Sequence, residues 1–206
     1  MKRRHFLQSV SAIAGMVSTK SLFAARDVAL TASEDNSTSK RKPVLVRAGH
    51  SRLPDGTDVA MASQQTLIRS FDSEGKLVSL VLPVQARTPY RGAPLHVHHD
   101  VDEWIYILGG EFAAEVGEER IRLKQGDALL LPMKVPHRWS IAQTAQAGAI
   151  HLYTPAGLMD AFFDPDLPDA KQLSWEERKA VFEAHHVTLL GPPLTQREID
   201  STWYRN

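Results

Sequence analysis

Residues 94–110 read PLHVHHDVDEWIYILGG, and the rest of the chain is interpreted around this stretch. His96 and His98 stand two residues apart, so on a β-strand both imidazoles leave the same face. Glu103 follows, ahead of an apolar run at residues 104–108 that predicts a strand entering a Gly-Gly turn. Two imidazoles and a carboxylate are ligands that a first-row divalent metal takes when positions stay open for chemistry. The stretch therefore indicates a metal site that needs a further ligand.

That ligand is found in residues 126–141, GDALLLPMKVPHRWSI, which contain His137. Here the sequence resembles the cupin superfamily, whose motifs are G-x5-H-x-H-x3/4-E-x6-G and G-x5-P-x-G-x2-H-x3-N. The matching positions are His96, His98, Glu103 and Gly110 in the first motif, and Gly126, Pro132 and His137 in the second. The departures are Tyr90, Lys134 and Ile141, which replace two glycines and an asparagine. Because these are turn and framework positions, they concern loop geometry rather than the ligand set.

The resemblance implies an all-β double-stranded β-helix, the cupin jelly-roll barrel, with one divalent transition metal. Its ligands would be His96, His98, Glu103 and His137. Iron, manganese, nickel, cobalt, copper and zinc all remain open. The competing interpretation is a solvated, His-rich loop. His99 points to the opposite strand face, and for His50, His151, His185 and His186 no partner pattern is visible, so a structural role is expected.

The amino-acid composition excludes cysteine chemistry and gives no sign of nucleic-acid binding. The chain has 206 residues, is 43% hydrophobic, and contains 24 basic and 24 acidic residues. It has no cysteine, which excludes disulfides, thiolate ligands and cysteine nucleophiles. Balanced charge gives no electrostatic footprint for nucleic acid. No internal repeat is visible, so we expect a single cupin domain.

The N-terminus resembles an export signal. Residues 1–25 have a basic start, a short apolar stretch and small residues at the end. RRHFLQ, at residues 3–8, resembles the twin-arginine motif. We therefore expect the twin-arginine translocase as a partner, cleavage near Ala24-Ala25 and a periplasmic location. Residues 26–43 are polar and aperiodic, which is typical of a flexible linker.

We place the cupin barrel at residues 44–155, where short apolar runs alternate with turn signals typical of a sandwich or barrel. Residues 156–206 are expected to form a helical extension packed on the barrel. An apolar stripe with helical spacing supports this; it consists of Leu158, Met159, Phe162 and Phe163. Two capping boxes predict helix starts, at Ser174 with Glu177 and at Thr195 with Glu198. This tail resembles those of single-domain bacterial cupins of the quercetin-dioxygenase-like type.

Strand alternation places Ile105, Ile107 and Trp139 inside with the ligands, as a candidate apolar wall of a substrate pocket. A role in the barrel core is the simpler expectation for the two isoleucines and is equally open for Trp139. The resemblance implies a dioxygenase that acts on an aromatic or enolic small molecule and dioxygen. Glu103 would then also be catalytic, taking the substrate's hydroxyl proton as a general base.

Two other classes stay open, since this fold hosts many activities. One is a metal-dependent isomerase or lyase on a small polar substrate, for which Arg69, Arg87 and Arg91 are candidate pocket cations. The other is a non-catalytic, metal-dependent binding protein for a small ligand. A homodimer is expected in each case.

Overall fold

A computed structural model describes residues 42–85, 92–164, 167 and 172–200, without the side chains of residues 143–145. The predicted signal segment and nearly all of the predicted linker lie outside these residues. None of the described helices has the length and apolar character needed to cross a membrane.

The described chain is built mainly from strands. These are β1 (His50–Arg52), β2 (Asp58–Ala60), β3 (Gln65–Ile68), β4 (Val78–Gln85), β5 (Gly92–His98), β6 (Asp102–Val116), β7 (Glu119–Lys124), β8 (Ala128–Leu131), β9 (His137–Thr154) and β10 (Val187–Gly191). The helical elements are a 3₁₀ turn (Ser70–Ser73), α1 (Met159–Phe162), α2 (Trp175–Ala184) and α3 (Gln196–Asp200).

Two long antiparallel strands, β6 and β9, form the centre of the main sheet and pair along most of their length. The first part of β9 also pairs with β5, and its second part pairs with β4. Likewise, the first part of β6 pairs with β8 and its second part with β7. The long strands therefore run through both halves of the sheet. The predicted double-stranded β-helix is confirmed.

The sheet of the predicted barrel is not closed. Among the described residues the sheet runs in the order β10-β5-β9-β4-β3, with β6, β7 and β8 branching from β9. Since β3 and β10 end this order without pairing to each other, hydrogen bonding stops at free edges instead of closing a ring.

The predicted Gly109-Gly110 turn is wrong, because β6 continues through it to Val116. The β6–β9 register shifts on both sides of Gly109, so the glycines form a bulge inside one strand. Gly110 has a φ of 75°, and a Cβ there would lie 2.9 Å from the Ala147 Cα. Only glycine fits this position without displacing β9.

The core lies between the two halves of the sheet. Strand β6 alternates buried and half-buried residues, which is typical of a strand with one inward face. Its inward residues pack with side chains of β7, β8 and β9; the cluster consists of Ile105, Ile107, Phe112, Ala114, Leu123, Leu131, Ile141, Ala147 and Ala149.

The region after Pro155 packs on the sheet through a second cluster. Met159 of α1 is buried with Leu80 and Tyr153, and Phe162, Phe163 and Phe182 pack against the same cluster. Both predicted capping boxes have their hydrogen bonds, at Ser174–Glu177 and at Thr195–Glu198. The extension is not purely helical, however, because β10 pairs with β5.

Candidate metal centre

Three strands bring the four predicted ligands together. His96 and His98 lie near the end of β5, Glu103 near the start of β6, and His137 at the start of β9. All four are buried, and their ligand atoms lie within 4.8 Å of one another. The backbone supports this meeting point, because His96 pairs with His137 across β5 and β9.

The distances fit donors that share one ion. The Nε2 atoms of His96 and His98 are 3.2 Å apart. Glu103 Oε2 lies 3.5 Å from Nε2 of His98 and 3.5 Å from Nε2 of His137. Two donors at about 2.1 Å from an ion are about 3.0 Å apart at a right angle and about 3.4 Å apart at a tetrahedral angle. The residues therefore fit a mononuclear divalent metal.

Backbone carbonyls orient two of the imidazoles. His96 Nδ1 donates to Pro94 O at 2.7 Å, and His137 Nδ1 donates to Val135 O at 2.9 Å. A carbonyl can only accept, so the proton sits on Nδ1 and the Nε2 lone pair faces the cluster. Among the described residues, the buried His137 Nε2 has no hydrogen-bond partner. A buried acceptor without a partner is costly, and a metal would satisfy it.

Glu103 is held from behind by two residues of β9. His151 Nδ1 donates to Glu103 Oε1 at 2.8 Å, and the Tyr153 hydroxyl donates to the same oxygen at 3.0 Å. This leaves Oε2 for the three imidazoles. Sequence reasoning missed both partners and expected only a structural role for His151. The available signal was their spacing, two apart on one strand and therefore on one face.

Burial and hydrogen bonding set the protonation of the cluster. Burial alone would raise the pKa of Glu103, but its interactions with the neighbouring imidazoles of His137, His151 and His98 outweigh it and hold that pKa well below its usual range. Burial, with the neighbouring imidazoles of His137 and His98, lowers the pKa of His96 to about 3. The cluster thus combines an ionised carboxylate with a neutral His96, which suits a divalent cation.

The cluster opens into a cavity of about 430 Å³. His96, His98 and Glu103 line it together with mostly apolar side chains. The large apolar and aromatic contributors are Trp139, Ile141, Tyr153, Met159, Phe162, Phe163 and Phe182. Its volume is in the range of small-molecule sites. Helices α1 and α2 thus supply part of the wall, which sequence reasoning did not anticipate.

Of the predicted pocket residues, Trp139 lines the cavity, whereas Ile105 and Ile107 do not. Both isoleucines are fully buried in the core between the sheet halves. They share the inward face of β6 with Glu103, but each further pair of residues moves about 7 Å along the strand, away from the cluster. Among the described residues, Ile105 and Ile107 therefore take the simpler of their two expected roles, the core, and not the pocket wall.

Arg69, the candidate arginine among the described residues, does not line the cavity. Arg69 is only 2% exposed and donates to Arg52 O and to Asp160 Oδ1 instead of lining the cavity. It connects α1 to the chain near the 3₁₀ turn. Arg87 and Arg91 lie outside the described residues, as does Tyr90.

Two departures from the motifs are explained locally. Lys134 has a φ of 64°, so it adopts the left-handed conformation that the motif's glycine favours. Its backbone N–H donates to His98 O at 2.7 Å, which ties the turn before His137 to the other histidine strand. Ile141 lines the cavity, where the motif's asparagine would add a polar group.

Comparison with known proteins agrees with this geometry. Residues 85–153, about a third of the chain, match the family model described as the cupin domain. The match includes all four candidate ligands. The chain therefore carries a cupin domain, and the buried His/Glu cluster lies within it. The quercetin-dioxygenase-like type and the twin-arginine signal remain predictions.

The relatives add little about activity. The uncharacterized protein MJ1618 of Methanocaldococcus jannaschii is 32% identical over 62 residues, which cover 30% of this chain and 46% of that protein. KdgF from Halomonas sp. is 22% identical with a TM-score of 0.38, covering 45% of this chain and 76% of that chain. An RmlC-like cupin from Shewanella frigidimarina is 18% identical with a TM-score of 0.36, covering 58% and 87%. These likenesses are too distant to support an argument about activity.

Proposed function

We propose that this protein is a mononuclear metal-dependent enzyme that acts on an apolar, aromatic or enolic small molecule, and that the reaction is a dioxygenation. One observation carries the proposal: a buried three-His, one-Glu cluster borders, through His96, His98 and Glu103, a cavity with mainly apolar walls. Such a cavity suits a substrate with a hydrophobic body.

The same lining weighs against the polar-substrate alternative. A site for a small polar molecule needs several charged or hydrogen-bonding side chains around the ligand. Among the described residues that line this cavity, the basic ones outside the cluster are His151 and Arg178. Arg69, the polar-pocket candidate that can be located, lies elsewhere. An isomerase or lyase on a small polar substrate is therefore the second candidate.

The chain's own residues can position and activate a hydroxyl-bearing substrate. A bound metal would supply Lewis acidity and a coordination site for a substrate oxygen. Glu103 can accept the hydroxyl proton through its cluster-facing Oε2, while His151 and Tyr153 keep Oε1 in place. Trp139 and Phe163, which line the cavity, would hold the apolar body of the substrate.

The proposal is tested by oxygen uptake. The protein is loaded separately with iron, manganese, nickel, cobalt, copper or zinc and offered flavonols, diketones and small acids. We expect oxygen consumption with at least one flavonol or diketone. If no loaded form consumes oxygen, the isomerase or the non-catalytic binding hypothesis takes precedence.

Glu103→Gln tests the base. The amide can still offer an oxygen to the metal but cannot take a proton, so turnover should fall by about 10²–10⁴-fold at near-normal metal content. Glu111→Gln, a substitution on the same strand outside the cavity, is the matched control and should leave turnover unchanged. Normal turnover in Glu103→Gln would exclude Glu103 as the base.

Metal content is a separate measurement. The purified protein should hold close to one divalent ion per chain, and the double variant His96→Ala/His137→Ala should lose most of it. His99→Ala is the control, because His99 bonds Thr188 outside the cluster. Equal metal content in the wild type and the double variant would refute the metal site itself.

A further inference from the structure

One residue that lines the cavity, Arg178, is a cation that the proposed chemistry does not use. Arg178 lies on α2, is half-buried, and lines the cavity among Leu173, Val181 and Phe182. Its Nε donates to Leu173 O at 3.2 Å. No acidic partner for its terminal nitrogens is found among the described residues. A guanidinium beside apolar side chains is stabilised when an anion or hydrogen-bond acceptor meets it.

The position of Arg178 relative to the cluster follows from the helix. Phe182 is one turn further along α2, and its ring meets the His96 ring edge-on with centroids 6.1 Å apart. Residues i and i+4 share a helix face and are separated by about 6 Å along the axis. Helical side chains tilt toward the N-terminus. The guanidinium therefore lies toward Leu173, at least one turn away from the end of α2 that touches the cluster.

We propose that Arg178 binds a carboxylate of the substrate, so that the preferred ligand is an apolar or aromatic acid. Its oxygen-bearing end faces the metal cluster, and its carboxylate meets Arg178 across the cavity. Arginine suits this task because its planar fork can bind both carboxylate oxygens. The inference rests on the proposed function only in taking this cavity as the ligand site.

The test uses a probe pair that differs only in charge. The acid is 3-(3,4-dihydroxyphenyl)propanoate, and its neutral counterpart is the corresponding propanamide. Binding of each to the metal-loaded protein is measured by calorimetry, without any oxygen readout. Hydrogen bonds to a charged group are strong enough that we expect the wild type to prefer the acid by about tenfold.

Arg178→Met should abolish this preference by weakening acid binding while leaving amide binding unchanged. Arg178→Lys should keep part of the preference, because it retains the charge but loses the fork. Lys179→Met is the matched control: it removes a neighbouring positive charge that pairs with Glu176 outside the cavity. It should leave the preference intact. Thermal melts of all variants check that α2 remains folded.

Three results would overturn the inference: no acid binding by the wild type, equal binding of acid and amide, or an undiminished preference in Arg178→Met. The last would place the carboxylate on the metal instead. Failure of the proposed function is distinguishable, since a protein that needs Arg178 for acid binding but consumes no oxygen keeps this inference and loses the dioxygenase.

Discussion

Glu103 divides its two carboxylate oxygens between two tasks. Oε2 faces the imidazoles, while Oε1 accepts hydrogen bonds from His151 and Tyr153. The two donors restrict rotation of the carboxylate, so its metal-facing oxygen is in place before an ion arrives. Partners of this kind typically change metal affinity by about 10- to 100-fold when they are removed.

Tyr153→Phe tests this positioning role. It removes one donor and keeps the ring, so we expect metal affinity to fall about tenfold with little change in fold. Competition with a chelator of known affinity gives the measurement. Tyr106→Phe is the control, because Tyr106 stacks on Trp104 on the other face of β6. Unchanged affinity in Tyr153→Phe would mean that His151 alone holds the carboxylate.

Lys134 carries backbone strain next to the centre. A left-handed conformation costs a residue with a Cβ about 1–2 kcal/mol, whereas glycine costs about 0.5–1 kcal/mol in unfolded-state entropy. The strain is the larger effect, so Lys134→Gly should raise the free energy of unfolding by about 0.5–1 kcal/mol. Urea unfolding measures it. Lys134→Ala, which keeps the strain and removes the side chain, should differ little from the wild type; a gain in both variants would implicate the side chain.

At the scale of elements, α2 is a thinly anchored part of the cavity wall. None of its residues is fully buried, although Phe182 packs on the second cluster. Its start depends on the capping box, in which the Ser174 hydroxyl accepts from the Glu177 N–H. A helix with few buried contacts opens locally more easily than the sheet beneath it.

Ser174→Ala should therefore destabilise α2 by about 1 kcal/mol. Hydrogen exchange should become faster in α2 and stay unchanged in β6. Thr195→Ala removes the equivalent cap of α3, away from the cavity, and is the matched control. Uniformly faster exchange in both α2 and β6 would show that α2 opens only when the whole domain unfolds.

Spacing along the chain was enough to predict that the four candidate ligands come together, because two strand histidines and a nearby carboxylate are local features and His137 falls on the second cupin motif. The roles of His151 and Tyr153 depend on the register that places Tyr153 opposite Glu103 across β6 and β9. That register joins residues far apart in sequence. Strand alternation predicted that Ile105 faces inward, but not that it lies too far along β6 from the cluster to line the cavity. Arg178 reaches the cavity only through the packing of α2, which no local pattern reports.

At the scale of the whole molecule, export remains a prediction from residues 3–8. Folding before export through the twin-arginine route would let the metal bind before copper and zinc compete, since N/O sites bind copper more tightly than manganese or iron. Replacing Arg3 and Arg4 with lysine should remove the protein from the periplasmic fraction. The control variant is Lys20→Arg, which keeps the paired arginines Arg3 and Arg4. Undiminished periplasmic protein would refute the route.

Acid should destabilise the metal-free protein by protonating residues of the His/Glu cluster. The folded-state pKa of His96 is about 3, below its ordinary value of 6.5, so between these values the unfolded chain binds a proton that the folded chain does not. Stability contributed by His96 is therefore lost as pH falls from 6.5 toward 3. Glu103 acts in the same direction, because its lowered pKa stabilises the fold above its usual range and this is lost on acidification.

We therefore expect the urea midpoint of the metal-free protein to fall steadily between pH 7 and pH 4. His96→Gln removes the titrating imidazole and should flatten the decline above about pH 5, where carboxyl groups are still mostly ionised. His99→Gln removes an exposed imidazole outside the cluster and should keep the wild-type slope. If the urea midpoint of His96→Gln declined as steeply as that of the wild type, the acid sensitivity would have to arise elsewhere in the fold. The buried His96 imidazole, which contacts the ring of His137, would then contribute nothing to it.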